Sequence, residues 1–411
     1  MPIRLQIQPK PCVECGYEPA FHAFERWSLF FEYLIKPFFR PLGYVNTALT
    51  AISASLIDRM ALPAARLCCK LNLGTILVDF DDQDNENTQF LWQEAKRRDI
   101  VMCQFCPLNL RRRFFIAIYQ GKSCAFEGLP RSTRRVASLD WVDDKVKLKQ
   151  NFEKAGFPVA RGGAARTERQ ALVLFRQLAK PVITKPDTGS GGRHTTLHIV
   201  TEEQLLIGFL CARELSPCVI IEEQLTGPVI RATLIKGKLV AVLRRDPPQV
   251  VGDGIRSVRE LAEELNRHPL RKGPAFAKVP FNDPLIMREL SRQSLSWDDI
   301  PAKGRLVFLH FKVNWGIGGT SQDVTDEIHP ENRKLFEYVA RYLDDDIVGI
   351  DFVIADIRQS WKKTKRCGII ECNSLPHIAN HHLPFSGAPR DIAGPVWDMI
   401  FPNSLPAQAG K

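Results

Sequence analysis

The chain has no long uncharged apolar run. Its nearest approach, Thr47 to Cys69, is broken by Asp58, Arg59 and Pro63, which argues against a membrane-spanning helix. Met1 to Pro11 lacks the apolar core of a secretory leader. No internal repeat is evident, and no Ser-His-Asp pattern announces a side-chain nucleophile. The basic clusters Arg111-Arg112-Arg113 and Lys362 to Arg366 come without any RNA- or DNA-binding motif. Without such a motif a nucleic-acid partner is not expected, and the net charge of +10 is better matched to anionic small molecules; the second cluster reads as a solvated turn. The 11 cysteines are an odd number in a chain without a leader, so free thiols in a reducing cytoplasm are expected. Cys12-Val13-Glu14-Cys15 and Cys103-Gln104-Phe105-Cys106 are both C-x-x-C pairs. Their separation far exceeds that of a compact four-cysteine zinc ribbon, and the expectation is two incidental pairs of thiols.

What is present is a globular composition, 45% hydrophobic and 25% charged over 411 residues, enough for two or three subdomains with sizeable cores. Residues 1 to about 70 read as helical. Phe24, Trp27, Phe31, Leu34 and Ile35 fall at helical spacing in an aromatic segment, 24–39, that suits a packed core or a homo-oligomer contact. Thr75 to Phe80 reads as a strand, Asn87 to Arg98 as a helix and Ile100 to Phe105 as the next strand, a parallel α/β unit. Phe114 to Tyr119 and Lys122 to Phe126 form a hairpin turned at Gln120-Gly121. Thr167-x-x-Gln170, Thr201-x-x-Gln204 and Ser257-x-x-Glu260 are capping-box patterns, and Pro330 suits the first turn of a helix through Tyr342.

The chemistry gathers in the second half. Gly368 to Asn373 is a short strand whose Glu371 and Asn373 point the same way, because strand side chains alternate. Gly349 to Ile354 is a second strand carrying Asp351. Antiparallel pairing, with Ile357 to Arg366 as the turn, would set three hard oxygen ligands on one face, a donor set for Mg2+. A half-exposed hairpin with ordinary polar residues is the plainer alternative. Pro181 to Pro186 is a strand bearing Lys185. Asp187 to Arg193 follows, then a strand from Thr195 to Val200. No helix starts after these glycines, so the loop is neither a P-loop nor a Rossmann turn. It can still aim backbone N–H groups at phosphate oxygens. Cys218 to Glu223 is a buried strand ending in acids. A hairpin, Val229 to Ile235 and Leu239 to Arg245, carries Arg231 among apolar neighbours, where it needs an anionic partner.

A lysine-bearing strand, a glycine hairpin, a strand ending in Glu and an Asp…Glu-x-Asn set, in this order, resemble the ATP-grasp superfamily. Further motifs resemble the ATP-grasp part of cyanophycin synthetases: Arg245 to Gly254, Asn266, Arg271, Gly318-Gly319-Thr320, Asp323 to Asp326 and His329-Pro330. The resemblance covers about Asp144 to Pro402. It implies an α+β ATP-grasp fold, two α+β subdomains clasping ATP, preceded by an α/β pre-grasp domain with a helical N-terminal segment. The divisions expected are 1–140, 141–402 and a loose tail at 403–411.

The resemblance also implies roles. Lys145 and Lys185 hold ATP phosphates, Gly189, Ser190, Gly191, Gly192 and Arg193 form the phosphate-covering loop, and Glu222, Glu223 and Leu225 line the adenine edge. Arg231 faces the phosphates, acting with Lys185 in catalysis, and Asp351, Glu371 and Asn373 ligate Mg2+, or Mn2+ in its place. Three departures stand out. Val229 occupies the place of an acid for the ribose, Gly191 that of a histidine, and no second, Mur-ligase-like ATP domain follows. The implied activity is an ATP-dependent, ADP-forming carboxylate–amine ligase. It would make an amide through an acyl phosphate, from a small acid such as an amino acid or peptide. The alternatives are a phosphotransferase and a non-catalytic ATP-binding scaffold. His377, His381 and His382 are candidates to face the acceptor.

Overall fold

A computed structural model of the chain describes residues 10–15, 19, 20, 22, 27, 56–79, 86–108, 114–132, 141, 142, 144–189, 191–273 and 275–404. The aromatic segment 24–39, Trp27 apart, therefore lies outside the described residues, as do Arg111 to Arg113, Ser190 and the tail after 404.

The helical reading of residues 1 to about 70 falls largely outside the described residues. Within them, a minimal hairpin, β1 (Lys10–Pro11) with β2 (Pro19–Ala20), brackets a 3-10 turn at Val13–Cys15, and helix α1 is described over residues 56–70. Next come β3 (Gly74–Leu77), α2 (Glu86–Arg97), β4 (Val101–Pro107), β5 (Phe114–Tyr119) and β6 (Lys122–Glu127), whose strands form one sheet in chain order. The expected parallel unit is corrected here, because β3 and β4 pair antiparallel, Gly74 opposite Pro107. Hydrophobic periodicity identifies the strand, helix and strand but carries no direction. Direction is set by how α2 packs, and α2 lies against β4 and the C-terminal helices of the chain. The β5–β6 turn is as expected, with Gln120 (φ 47°) and Gly121 (φ 77°) both left-handed, the type I′ geometry that matches strand twist.

Helix α3 (Lys145–Lys154) opens the next region, its first amides capped by Asp144. Strand β7 (Gly162–Ala165), α4 (Glu168–Gln177), β8 (Val182–Pro186), β9 (Thr196–Ile199), α5 (Glu202–Arg213) and β10 (Val219–Glu223) then build an antiparallel sheet in the order β7-β10-β8-β9. Thr201 makes the full capping box; Thr167 caps its helix through the Gln170 amide alone. Phe175, Leu205, Phe209, Val219 and Ile221 fill the core between this sheet and its two helices.

A second sheet, β15-β12-β11-β16-β17, is assembled from β11 (Val229–Ile235), β12 (Lys238–Asp246), β15 (Thr320–Asp323), β16 (Ile347–Val353) and β17 (Gly368–Asn373). Between β12 and β15 the chain inserts β13 (Gln249–Val251), α6 (Val258–Asn266), α7 (Pro284–Arg292) and β14 (Leu306–Phe308), which have a core of their own around Ile286, Leu290 and Trp297. Asn266 and Arg271 fix this insert. The Asn266 side chain bonds Val279 at both its N–H and its carbonyl, and Arg271 donates to the Gly318 carbonyl at 2.8 Å. Helix α8 (Pro330–Leu343), begun by Pro330 as expected, covers the sheet together with α3. The chain ends in α9 (Ala379–His382) and α10 (Ala393–Ile400). These return to the N-terminal sheet, where Trp397 is fully buried with Phe115, Phe126 and Ile347 in one core, and its indole donates to the Leu91 carbonyl at 2.9 Å. That core crosses residue 140.

Candidate active site

The β16–β17 hairpin forms as its sequence predicts. β16 and β17 pair antiparallel with Asp351 opposite Glu371 and Gly349 opposite Asn373, and a register shift follows Asp351. On the other side of β16, Arg231 in β11 stands opposite Asp351. The pair closes as a fork, Nε to Oδ1 at 2.5 Å and Nη2 to Oδ2 at 2.8 Å, with both groups buried. Arg245 approaches the same carboxylate at 3.9 Å. Burial would raise the Asp351 carboxyl, but Arg231 and Arg245 outweigh it and hold it below the usual range. Glu371 goes the other way. Burial raises its carboxyl, Asp351 adds to the rise, and Lys145 opposes it only in part.

The donor set fits a hard divalent cation: two carboxylates and an amide oxygen on adjoining strands. The Asn373 Nδ2 atom is buried without a hydrogen-bond partner. Among the described residues no acceptor fixes that amide, whose oxygen can turn to a ligand. A cation there would favour the charged form of Glu371, whose pKa burial raises.

Beside β17 lies a cleft lined by Lys145, Lys149, Lys185, Glu222 and the apolar Val159, Ile220, Ile369 and Ile370. Its floor is the meeting of the two sheets. The Ile369 amide bonds the Pro158 carbonyl at 2.8 Å, and Gly368 sits against Val159, so β17 is joined to the segment leading into β7. Lys185 and Glu222 are on neighbouring strands, Lys185 opposite Ile220, and their side chains meet at 2.5 Å. Glu222 is buried, which would raise its carboxyl, yet Lys185 and then Lys149 bring it below the ordinary value.

Sequence reasoning missed Lys149, which is 3.5 Å from Glu222. Its signal was available. It follows Lys145 by four residues on α3, so both face one way. Lys145 itself donates to the Gly189 carbonyl, the first glycine of the loop. That loop joins β8 to β9 as a hairpin, with Gly189, Gly191 and Gly192 at φ 98°, 68° and 69°, a region side-chain-bearing residues avoid. Glu223 accepts from the Ala179 amide at 3.0 Å, and Leu225 is half-buried just beyond β10.

The other candidates separate. His381 is buried against Thr233, its Nε2 2.7 Å from the hydroxyl, and burial followed by the nearby Arg231 lowers its pKa to about 3. His377 bonds Asn380, and His382 accepts the Ile392 and Ala393 amides at the start of α10 while stacking on Phe90. His382 thus serves the fold. Arg366, read as part of a solvated turn, donates to the carbonyls of Lys180 and Gln224, anchoring the β16–β17 turn at the hinge between the sheets. The two C-x-x-C pairs also part company. Cys103 and Cys106 are buried in β4, whereas Cys12 and Cys15 sit beside His22 and His194.

A cyanophycin synthetase from Nostoc sp. is 30% identical over 374 residues, 90% of this chain and 40% of that protein. The cyanophycin synthetase of Synechocystis sp. is 35% identical over 279 residues, 66% of this chain and 32% of that protein. The crystal structure of a bifunctional glutathione synthetase from Pasteurella multocida matches with a TM-score of 0.56 at 27% identity, over 77% of this chain and 43% of that one. The chain is an ATP-grasp protein resembling cyanophycin synthetases. No protein-family model matches it. This ATP-grasp chain spans about 40% of the length of the first of those synthetases. Its α+β architecture, two antiparallel sheets meeting at a lysine-lined cleft, is that of the ATP-grasp fold. Among the described residues no helix is long and apolar enough to cross a membrane.

Proposed function

We propose that the chain is an ATP-dependent carboxylate–amine ligase that forms an amide through an acyl phosphate and releases ADP. The observation that carries this reading is the junction of β17 with the first sheet. It puts the Asp351, Glu371 and Asn373 donors next to a cleft holding Lys145, Lys149 and Lys185. The cleft has apolar walls at Val159, Ile220, Ile369 and Ile370. It suits the base and sugar of a nucleotide between apolar walls, with the phosphates reaching toward the glycine loop. Glu222, Glu223 and Leu225 stand at the base end. Lys145, Lys185, Gly189, Gly191 and Gly192 stand at the phosphate end, while Arg193 Nε turns to Cys15.

Mg2+ held by Asp351, Glu371 and Asn373 would neutralise charge on the transferring phosphoryl group. The protein's share is positioning and fixed positive charge, most of what phosphoryl transfer needs. Lys185 is bound to Glu222 here, and phosphate oxygens compete for the same ammonium. Arg231 is bound to Asp351, so its first duty is to keep that carboxylate ionised and aimed. Its remaining N–H groups would be available to the reacting phosphate. A substrate carboxylate attacks the γ-phosphorus, ADP leaves, and the amine displaces phosphate from the acyl phosphate. The glycine loop covers the site and keeps water from that intermediate.

The relatives' names, cyanophycin synthetase and glutathione synthetase, support an amino acid or peptide as the acid. The test is phosphate and ADP release against pooled amino acids and dipeptides, with hydroxylamine present to trap the acyl phosphate as a hydroxamate. AMP and pyrophosphate among the products would overturn the mechanism. Phosphorylation of a hydroxyl without amide product would identify a phosphotransferase, and nucleotide binding without turnover a scaffold.

A further inference from the structure

Away from the cleft, four side chains from distant parts of the sequence converge. The ligand atoms of Cys12, Cys15, His22 and His194 all lie within 4.8 Å of one another. His194 Nε2 is 3.5 Å from Cys12 Sγ and 3.4 Å from Cys15 Sγ, and His22 Nε2 is 3.3 Å from Cys15 Sγ. A tetrahedral zinc ion has Zn–S bonds of about 2.3 Å and Zn–N bonds of about 2.0–2.1 Å. Its S···N edges are then about 3.5 Å. The observed separations match those edges with no ligand needing to move far.

We propose that these four residues form a structural Zn2+ site. Local structure prepares each ligand. Cys12 and Cys15 are three apart across a 3-10 turn, closed by the Cys15 amide on the Cys12 carbonyl at 3.1 Å, and side chains at that spacing fall one above the other. The β1–β2 pairing folds the chain back after the turn and brings His22 round. His194 is fully buried, and its Nδ1 lies 2.8 Å from the Cys211 carbonyl. A donated hydrogen bond there leaves Nε2 as the lone-pair nitrogen, aimed at both sulfurs. The Glu214 carboxylate lies 3.6 Å from His22 Nδ1 and 3.5 Å from His194 Nδ1, placing negative charge beside both imidazoles. Arg193 Nε donates to Cys15 Sγ at 3.3 Å.

Two thiolates and two imidazoles neutralise Zn2+ and fill its coordination shell, so the site is closed to substrate. Soft sulfur with imidazole selects zinc over Mg2+, and the site does not compete with the carboxylates of β16 and β17. Its place says what it does. His194 directly follows the glycine loop, so the ion pins the loop's downstream root to the N-terminal knuckle. The knuckle is held in turn to the insert, because Lys312 donates to the Glu14 carbonyl at 2.8 Å and Arg288 pairs with Glu14 at 3.3 Å.

The experiment is elemental analysis of the full chain, purified without chelator or affinity histidines from zinc-supplemented medium. One zinc per chain is expected, released on mercurial modification of thiols. Exchange for Co2+ should give the intense d–d and thiolate-charge-transfer bands of a tetrahedral site with two sulfur and two nitrogen ligands. Cys12→Ser/Cys15→Ser should lose the ion and Cys103→Ser/Cys106→Ser should keep it. Wild-type protein with far less than stoichiometric zinc and no tetrahedral Co2+ spectrum would leave only a thiol–imidazole hydrogen-bonded cluster and overturn the proposal. Full zinc retention in Cys12→Ser/Cys15→Ser would overturn it equally. The wild-type measurements decide the question even if that variant fails to fold, and none of them depends on ligase activity.

Discussion

Removing Arg231 tests what the centre of the site is for. Arg231→Met keeps much of the side chain's apolar volume and deletes both arms of the fork on Asp351. The carboxylate is then buried with only Arg245, at 3.9 Å, nearby. Breaking a buried pair by removing one partner costs about 3–5 kcal/mol, because the other charge stays in low dielectric. At roughly 2–4 °C per kcal/mol for a domain of 150–250 residues, the melting temperature should fall by roughly 6–20 °C. In the wild type the folded pKa of Asp351 lies below its unfolded value. The pair's contribution is therefore present above the unfolded pKa, about 3.9, and is lost as pH falls through the folded one. In the variant, burial wins and the folded pKa rises, so its deficit should be greatest at neutral pH and shrink as the carboxylate protonates. The double variant Arg231→Met/Asp351→Leu should recover most of the lost stability, since apolar replacement of a buried pair is often neutral or better. It should still have no Mg·ATP turnover. Urea titration and calorimetry from neutral pH down to the carboxylate range read all of this. A single-variant cost below about 1 kcal/mol, or a double variant no more stable than the single, would refute the account of Arg231 as the group that keeps Asp351 charged.

Glu371→Gln should abolish Mg·ATP turnover yet stabilise the ligand-free protein at neutral pH. The raised folded pKa of Glu371 means that its contribution is full below the unfolded pKa and is lost as pH rises through the folded one. The gain over wild type should vanish in acid, and thermal melts across pH that show no such trend would count against it. Lys185→Ala should weaken ATP by roughly 10–100-fold, the 1.5–3 kcal/mol of a charged hydrogen bond, while adenosine changes little by calorimetric titration. Equal loss for both ligands would place Lys185 in folding or base packing. Trp397→Ala should cost about 3–5 kcal/mol and loosen the N-terminal sheet together with α10, read by hydrogen exchange, because one core holds both.

Much of this molecule was legible in its residues one segment at a time. Alternation in Gly368 to Asn373 and Gly349 to Ile354 gave two strands with their acids on one face, and the polar stretch between them gave the antiparallel register. Gln120-Gly121 marked its turn because both residues take left-handed backbone. Periodicity, caps and turn residues are local physics, and a sequence carries them explicitly. Three things were decided only when segments met. The direction of β4 against β3 depends on the path of α2 across the sheet, which no alternation encodes. Lys149 joined Lys185 on Glu222 because α3 packs over the end of β10. Cys12 and Cys15 looked incidental because their partner His194 is 179 residues beyond Cys15 and comes near only through the fold. Side-chain type and spacing determine what a segment can form, whereas ion pairs and ligand sets form between segments, and their geometry exists only in the packed chain.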